Sequence, residues 1–231
     1  MTSGHPGSGT WAFLFDLDGT LIDSTYQHAL AWWKALADVG IDLPTWKVHR
    51  RMGISGGLFI NSLLREEGKA PSPELTARIG ERHHVHFEQL AGDIRPLPGT
   101  LDLLATLTEL GVPWAIATSG HMRYARRGLE LLGVLDGPAP IITRDLVARA
   151  KPDPDLFLAA AAALDVPIQQ SWVVGDSIWD LLAARRAFAL GIGVRSGGYG
   201  GEELREAGAY RVYHDPGDLL NHLEEVGVRN R

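Results

Sequence analysis

Five short apolar runs divide this chain and constrain its fold more than any other feature. The first, Trp11–Phe15, is continuously apolar, which is typical of a strand covered on both faces. The other runs are Val112–Ala117, Pro140–Ile142, Ser171–Val174 and Leu190–Val194. Segments with helical patterns separate or follow them; these are Thr100–Leu110, Pro154–Leu164, Ser177–Ala189 and Glu202–Ala207. Strands that alternate with helices at this spacing predict an α/β fold with a doubly wound, Rossmann-like parallel sheet.

The segment from residue 21 to residue 93 interrupts this alternation. It has no convincing strand but four helical patterns, at Tyr26–Val39, Trp46–Arg51, Gly57–Glu67 and Pro73–Leu90. A parallel crossover needs only about a dozen residues, so this segment is too long for one connection. We therefore predict an α/β core from residues 1–20 and 94–231, with an all-helical cap, residues 21–93, inserted after strand one. Hinges are expected near 21–24 and 92–97.

Polar residues follow several predicted strands at their carboxyl ends, which is where doubly wound sheets bind ligands. They are Asp16 and Asp18 after the first strand, Thr118, Ser119 and Gly120 after the second, Lys151 in a later loop, and Asp176 and Asp180 after the fourth. The carboxyl ends of parallel strands share one edge of the sheet. We therefore expect acidic groups, a hydroxyl group and a lysine to converge there.

Three of these aspartates, Asp16, Asp18 and Asp176, predict a magnesium site. Carboxylates held close together repel one another unless a cation lies among them or one is protonated. Mg²⁺ prefers oxygen ligands, keeps several waters and commonly bridges to a substrate phosphate. Asp180 lies four residues after Asp176, on the same face of a helix start, and we assign it to orienting the site.

The remaining residues of this edge suit phosphate chemistry. Asp16 is the expected nucleophile. Asp18 can protonate the leaving oxygen and then deprotonate the attacking water. Lys151 and the Thr118 hydroxyl supply charge and hydrogen bonds to phosphate oxygens. Amides at the start of the helix after Ser119 and Gly120 add anion binding.

Four motifs in order carry a family resemblance: Asp16-Leu-Asp-Gly-Thr20, Thr118-Ser119, Lys151-Pro152 and Gly175-Asp-Ser-x-x-Asp180. Over about residues 12–195 they resemble the haloacid dehalogenase superfamily. The helical insertion is similar to the branch that contains phosphoglycolate phosphatases and β-phosphoglucomutases.

The resemblance implies a division of labour among the site residues. Asp16 would form an aspartyl-phosphate, and Asp18 would act as acid and base while ligating magnesium through its carbonyl. Asp176 would supply the remaining carboxylate ligand, and Thr118 and Lys151 would hold the phosphate. The cap would close over the substrate and exclude bulk water.

Two departures from relatives narrow the expected reaction. True haloacid dehalogenases and phosphonate-cleaving relatives usually lack the second aspartate, whereas Asp18 is present here. The mutases usually carry Glu before the metal-binding aspartate, whereas this chain has Gly175. We therefore expect a magnesium-dependent phosphatase of a small phosphate ester, of the phosphoglycolate or sugar-phosphate type. A sugar-phosphate mutase is the alternative, and a non-catalytic regulatory protein a third.

Residues of the cap are candidates for substrate binding. His28 lies on the first cap helix near the hinge, where some relatives place a histidine. Arg51 and Ser55 belong to a loop that resembles the family's substrate-selecting loop. The remaining predictions are packing or surface roles: a packed or solvated helix face for His83, His84 and His86, a cap core containing Trp32, Trp33 and Trp46, and a mobile loop beside the site at Ser196–Gly201.

Composition limits the partners. The formal net charge is −6, which argues against general binding to nucleic acid or to anionic membranes. The chain contains no cysteine, so thiolate chemistry and Cys-ligated zinc are excluded. No apolar run reaches the length of a membrane span, and residues 1–9 lack the features of a signal peptide and are predicted to be a flexible lead-in. We expect a cytoplasmic protein that is a monomer or a homodimer.

Overall fold

The computed structural model describes residues 11–228, and the predicted lead-in at residues 1–9 lies outside this range. Six strands form one parallel sheet in the order β5-β4-β1-β6-β7-β8. Their bounds are Ala12–Phe15 for β1, Trp114–Ala117 for β4, Ile141–Ile142 for β5, Ser171–Gly175 for β6, Leu190–Val194 for β7 and Ala209–Tyr213 for β8. This arrangement confirms the predicted doubly wound α/β fold.

Strand β1 lies at the centre of the sheet and all four of its residues are buried. Leu14 is aligned with Ala115 on β4 and with Val173 on β6. After β1 the chain adds β4 and β5 on one side of it and then crosses to add β6, β7 and β8 on the other side. Strand β1 therefore borders the point where the strand order reverses. Crevices at such points are where ligands bind in open α/β sheets.

Alternate residues of the central strands face two separate apolar layers, because successive side chains of a strand point to opposite faces. Phe13 and Phe15 pack in the layer formed with helices α5, α6 and α10, and Leu14 packs in the layer formed with α7 and α8. The bounds are Thr100–Glu109 for α5, Met122–Leu132 for α6, Asp155–Ala163 for α7, Ile178–Ala187 for α8, Gly201–Ala207 for α9 and Pro216–Asn221 for α10.

Strand β8 was not among the predicted strands. It lies at the edge of the sheet, and its central residues Tyr210 and Arg211 are exposed. A strand with an exposed edge and polar positions lacks the continuous apolar signal that marks β1 and β6. Sequence reasoning based on apolar runs therefore missed it.

The predicted insertion is helical, with α1 at Thr25–Ala37, α2 at Thr45–His49, α3 at Gly56–Glu66 and α4 at Pro73–Leu90. These helices enclose an apolar core of their own, which includes Trp32, Phe59 and Ile79. Trp33 packs at its margin, but Trp46 is 63% exposed, so its predicted place in the cap core was wrong. The predicted cap limits at residues 21 and 93 stay predictions, and α1–α4 fall inside them.

The chain enters and leaves the helical insertion through a short antiparallel ribbon. Strand β2, Ile22–Asp23, pairs with β3, Arg95–Pro96, so that Ile22 is aligned with Pro96. Both strands lie within the segments predicted as hinges. Two-residue strands fall below what apolar periodicity can detect. None of the helices in residues 11–228 is long and apolar enough to cross a membrane.

Candidate active site

The turn after β1 sets the geometry of the site. The amide of Asp16 still donates to the sheet, to Val174 O at 2.9 Å, and the chain then turns back so that the amide of Leu21 donates to Leu17 O at 2.9 Å. Gly19 has φ of +82°, and a Cβ there would lie 2.2 Å from Thr25 Oγ1 and 2.6 Å from Asp176 Oδ2. Glycine alone meets both the conformational and the spatial requirement.

Lys151 is completely buried and connects two of the predicted aspartates. Its Nζ forms an ion pair with Asp16 Oδ1 and lies 2.8 Å from Asp180 Oδ1. Burial alone would lower the pKa of Lys151, but the charges of Asp16 and Asp180 outweigh burial and raise it. The lysine therefore carries a fixed positive charge directly behind Asp16.

The carboxylates of this region outnumber the buried positive charge. Among the described residues, Asp16, Asp176 and Asp180 form a buried group with ligand oxygens all within 4.8 Å of one another. Burial raises the pKa of Asp16 to about 7, against the opposing charge of Lys151. Burial, with the charges of Asp180 and Asp16, raises the pKa of Asp176 well above its ordinary value. A divalent cation would offset this excess of negative charge, so the group fits Mg²⁺.

Asp180 has a second task, at the start of α8. Its Oδ2 accepts hydrogen bonds from the Ser177 amide at 3.1 Å and from Ser177 Oγ at 2.5 Å, which completes a capping box. Its other oxygen faces Lys151. The helix start, the lysine and Asp16 are thereby held in one network, while the orienting role of Asp180 stays a prediction.

The segment after β4 lies beside the aspartates. Thr118 is buried, and its Oγ1 accepts a hydrogen bond from the Gly120 amide at 3.0 Å. Ser119 Oγ donates to the carbonyl oxygen of Gly53 in the cap loop at 3.0 Å. Thr118 and Gly120 both line the cavity together with Asp16, so the structure brings these predicted residues together.

Asp18 is linked to the cap through a chain of polar groups. Its Oδ1 accepts from Ser24 Oγ at 2.5 Å and lies 3.3 Å from Nε2 of His28. Burial alone would raise the pKa of Asp18, but His28 and the hydrogen bond from Ser24 outweigh it and lower the pKa. His28 Nδ1 lies 3.2 Å from Nε2 of His83 on α4. The sequence placed His28 near the hinge but did not predict that His83 would meet it.

His83 is the packed member of the histidine cluster. It is buried and its ring stacks on Trp32 at 3.8 Å between centroids. Burial, with the neighbouring charges of His28 and Arg123, lowers the pKa of His83 well below its ordinary value. His86 instead lies 2.7 Å from the Asp38 carboxylate. The group of possible metal ligands among the described residues consists of aspartates alone.

A cavity of about 340 Å³ opens between the aspartates and the helical insertion. We call the side formed by the strand ends the core side and the side formed by α1, α3 and α4 the cap side. Asp16, Asp18 and Asp176 line the core side, and Trp32 and Ile60 line the cap side. The volume lies within the range of small-molecule sites.

Two predicted substrate-binding residues do not line this cavity. Arg51 forms an ion pair with Glu66 and donates from Nη1 to the carbonyl oxygen of Lys47 at 2.9 Å. Ser55 precedes α3, and its amide donates to Lys151 O at 3.3 Å. The loop that holds them approaches the site, but its backbone and the side chains of Met52 and Ile54 face the cavity instead.

Other contacts join the cap loop to the core. Arg50 forms an ion pair with Glu203 at the start of α9, and Tyr199 Oη donates to Arg50 O at 2.6 Å. The predicted Ser196–Gly201 loop lies beside the site. Ser196 Oγ donates to Gly19 O at 2.6 Å, and a Cβ at Gly197 would lie only 1.6 Å from Asp176 Oδ2.

Fold and site together define a capped, Rossmann-like enzyme with an aspartate pair at the end of its first strand. A family profile for haloacid dehalogenase-like hydrolases matches residues 12–187. The chain belongs to this family, which confirms the resemblance found in the sequence.

Named relatives support the same class. The chain is 34% identical to hexitol phosphatase A of Escherichia coli K12, over 71% of this chain and 74% of that protein. It is 32% identical to a phosphoglycolate phosphatase of Rhodospirillum rubrum, over 94% of each chain. A crystal structure of a hydrolase from Pseudomonas syringae is similar, with a TM-score of 0.92 and 49% identity over 94% of this chain and all of that one. The protein is thus an enzyme of the hydrolase class, and two of these three relatives are named as phosphatases.

Proposed function

We propose that this protein is a magnesium-dependent phosphatase that hydrolyses a small phosphorylated metabolite, of the phosphoglycolate or sugar-phosphate type, through an aspartyl-phosphate. One observation carries the proposal. Asp16 and Asp18 line the same cavity, while Asp16 is paired with a buried lysine and Asp18 with a serine and a histidine. Two carboxylates with such different partners are suited to different roles.

In the first step, an Asp16 oxygen attacks phosphorus and the bond from phosphorus to the leaving oxygen breaks. Asp18 gives a proton to that leaving oxygen, so it has to bind this proton before the step although His28 and Ser24 lower its pKa. Water then attacks the aspartyl-phosphate and loses a proton to Asp18, so phosphate leaves and both aspartates return to their starting states. Lys151 and Thr118 would stabilise charge on the phosphoryl oxygens.

The magnesium ion would be held by the carboxylates of Asp16 and Asp176, with the backbone carbonyl of Asp18 as a further ligand. When bound, it would neutralise charge around the nucleophile and the phosphate. Asp180 belongs to the same carboxylate group, but its oxygens are engaged by Ser177 and Lys151. We therefore keep Asp180 as a positioning residue.

The mutase alternative is weakened by the residue before Asp176. A Cβ at Gly175 would lie 2.3 Å from Cβ of Asp180, so the site has no room for the glutamate that mutases usually carry there. Hydrolysis does not require that glutamate. The position thus supports a phosphatase over a mutase.

Phosphate release from phosphoglycolate, sugar phosphates, nucleotides and pyrophosphate, each with and without Mg²⁺, tests the proposal. We expect Mg²⁺-dependent release from at least one ester and loss of at least about 10³-fold in kcat for Asp16→Asn. Asp136→Asn, at an exposed position, is the matched control. If the folded protein releases phosphate from none of these esters, the proposal is refuted. If Asp16→Asn keeps full activity, the role of Asp16 is refuted. Isomerisation of a sugar phosphate would favour the mutase.

A further inference from the structure

The cavity offers little positive charge beyond the groups that serve the reacting phosphate. Arg123 on α6 is the one lysine or arginine among the described residues that line it. Its Nη1 lies 2.8 Å from Oε1 of Glu81 on α4, its Nη2 lies 2.5 Å from Tyr124 Oη, and its guanidinium lies 4.7 Å from the centre of the Tyr124 ring. The charge of Arg123 is thus already matched at the rim.

The histidines of the cavity are engaged as well. His28 lies between Asp18 and His83. His121 Nδ1 lies 2.5 Å from Oδ1 of Asp145. Burial keeps the pKa of His83 low, so its ring is neutral. No lining histidine therefore offers an unmatched positive charge to a second anionic group of a substrate.

The cap side of the cavity is largely apolar. Trp32, Met52, Ile54, Ile60 and Ala77 contribute its apolar surface. A carboxylate against such a surface would lose hydration without gaining an ion pair. A polyol or sugar would place its C–H groups against the same surface and keep its hydroxyls for neutral partners.

Neutral hydrogen-bonding groups are available near that surface. Thr76, Ser119 and Tyr124 line the cavity with hydroxyl groups, each of which donates its proton to a protein oxygen, of Asn61, Gly53 and Gly80 respectively. Their oxygens can still accept hydrogen bonds from the hydroxyls of a substrate. They cannot neutralise an anion.

From these observations we propose that the site selects phosphate esters whose leaving group is an uncharged, polyhydroxylated carbon skeleton, and that Glu81 enforces this by pairing with Arg123, so that this cation is not available to a second anionic group of the ester. Glu81 is a specificity-determining residue at the rim, where it also holds Arg123. The inference rests on the proposed phosphatase function, and it narrows the substrate class by setting phosphoglycolate and bisphosphates aside.

A matched pair of substrates tests the proposal. Sorbitol 6-phosphate and 6-phosphogluconate share a six-carbon hydroxylated chain, and the second carries one extra carboxylate. We expect kcat/KM of the wild-type protein to favour sorbitol 6-phosphate by about tenfold or more, because the extra carboxylate would lose hydration in the cavity without gaining an ion pair. Equal values, or a preference for 6-phosphogluconate or phosphoglycolate, would overturn the proposal.

Glu81→Gln tests the residue assignment. The substitution removes the ion-pair partner of Arg123 and frees its charge for the carboxylate of 6-phosphogluconate, so the ratio of the two kcat/KM values should narrow about fivefold. Glu88→Gln, on the same helix but outside the cavity lining, should leave the ratio as it is. An unchanged ratio in Glu81→Gln would refute the role of Glu81.

Binding to the inactive Asp16→Asn protein, measured by calorimetry with both substrates and Mg²⁺, separates this proposal from the proposed function. Tighter binding of sorbitol 6-phosphate without any turnover by the wild-type protein would refute the phosphatase and retain the selectivity. If the wild-type protein turns over both esters and the Asp16→Asn protein binds them with equal affinity, the phosphatase is retained and the selectivity is refuted.

Discussion

The core side and the cap side of the cavity hold their charges in different ways. On the core side, Asp16 and Asp180 are buried and both pair with the buried Lys151. The cap side is largely apolar, and its Glu81 pairs at the exposed rim with Arg123 of α6. Charges interact strongly where water is excluded and weakly where it is not. We therefore propose that the core side carries the reaction chemistry and that the cap side discriminates between substrates.

The strongest test of this contrast is Asp18→Asn, on the core side. The amide cannot take a proton from water, so kcat should fall by about 10²- to 10⁴-fold. With p-nitrophenyl phosphate the leaving group needs no proton, so the phosphorylated enzyme should accumulate and appear by intact-protein mass spectrometry. Asp42→Asn, at an exposed position, should turn over normally. Undiminished turnover of the variant would contradict the role.

A second core-side test is Lys151→Met. Removal of the buried cation leaves Asp16 and Asp180 without their partner, and we expect the free energy of unfolding to drop by about 3 kcal/mol or more. Urea denaturation measures the loss, and added Mg²⁺ should recover part of it. The matched control is Lys47→Met, which breaks ion pairs with Glu66 and Glu67 at the surface and should cause no measurable change. If the free energy of unfolding falls by a similar amount in both variants, buried and exposed charges do not differ in the way stated above.

On the cap side, His83→Phe should alter how stability depends on pH. The pKa of His83 is lowered, so the unfolded chain binds a proton below pH 6.5 while the folded protein does not. The neutral ring therefore contributes to the free energy of unfolding fully above pH 6.5. This contribution is lost as pH falls, by up to about 2 kcal/mol at pH 5.

His83→Phe keeps an aromatic ring against Trp32 and cannot be protonated. The drop in unfolding free energy between pH 7 and pH 5 should therefore be smaller in this variant than in the wild-type protein. His214→Phe, at an exposed site, should keep the wild-type drop. An identical drop in His83→Phe would show that the buried ring does not control the acid response.

The smallest effect is expected from Glu203→Gln, which breaks the exposed pair between the cap loop and α9. Exposed ion pairs contribute little, so KM should rise by about twofold with kcat nearly unchanged. Glu202→Gln, whose partner Arg205 lies within the same helix, serves as the control. A large fall in kcat would mean that this contact belongs to the chemistry of the core side.

Much of the core side could be predicted from sequence, because parallel strands bring their carboxyl ends to one edge. Asp16, Thr118, Lys151 and Asp176 are far apart in the chain, yet the order of strands and polar ends was enough to predict their meeting. The engagement of Asp180 with Ser177 could also be anticipated from its position at a helix start.

The cap side was less predictable. Helical periodicity located α1–α4, but it does not give the angle and register at which helices pack. For that reason Arg51 was expected at the substrate and is instead paired with Glu66. Trp46 was expected in the cap core and is exposed, while the meeting of His28 and His83 across two helices was not foreseen.

The sequence by itself determined the sheet apart from its edge strand β8, the helical insertion and the set of groups at the strand ends, since local periodicity and strand direction suffice for these. Only the tertiary structure decided which carboxylates share Lys151, which histidine meets His28 and how Glu81 faces Arg123. Those contacts join residues between 29 and 135 positions apart. The Lys151 contacts lie within the core, the contact of His28 with His83 lies within the helical insertion, and only the contact of Glu81 with Arg123 joins the two. No local pattern encodes the packing that sets these distances.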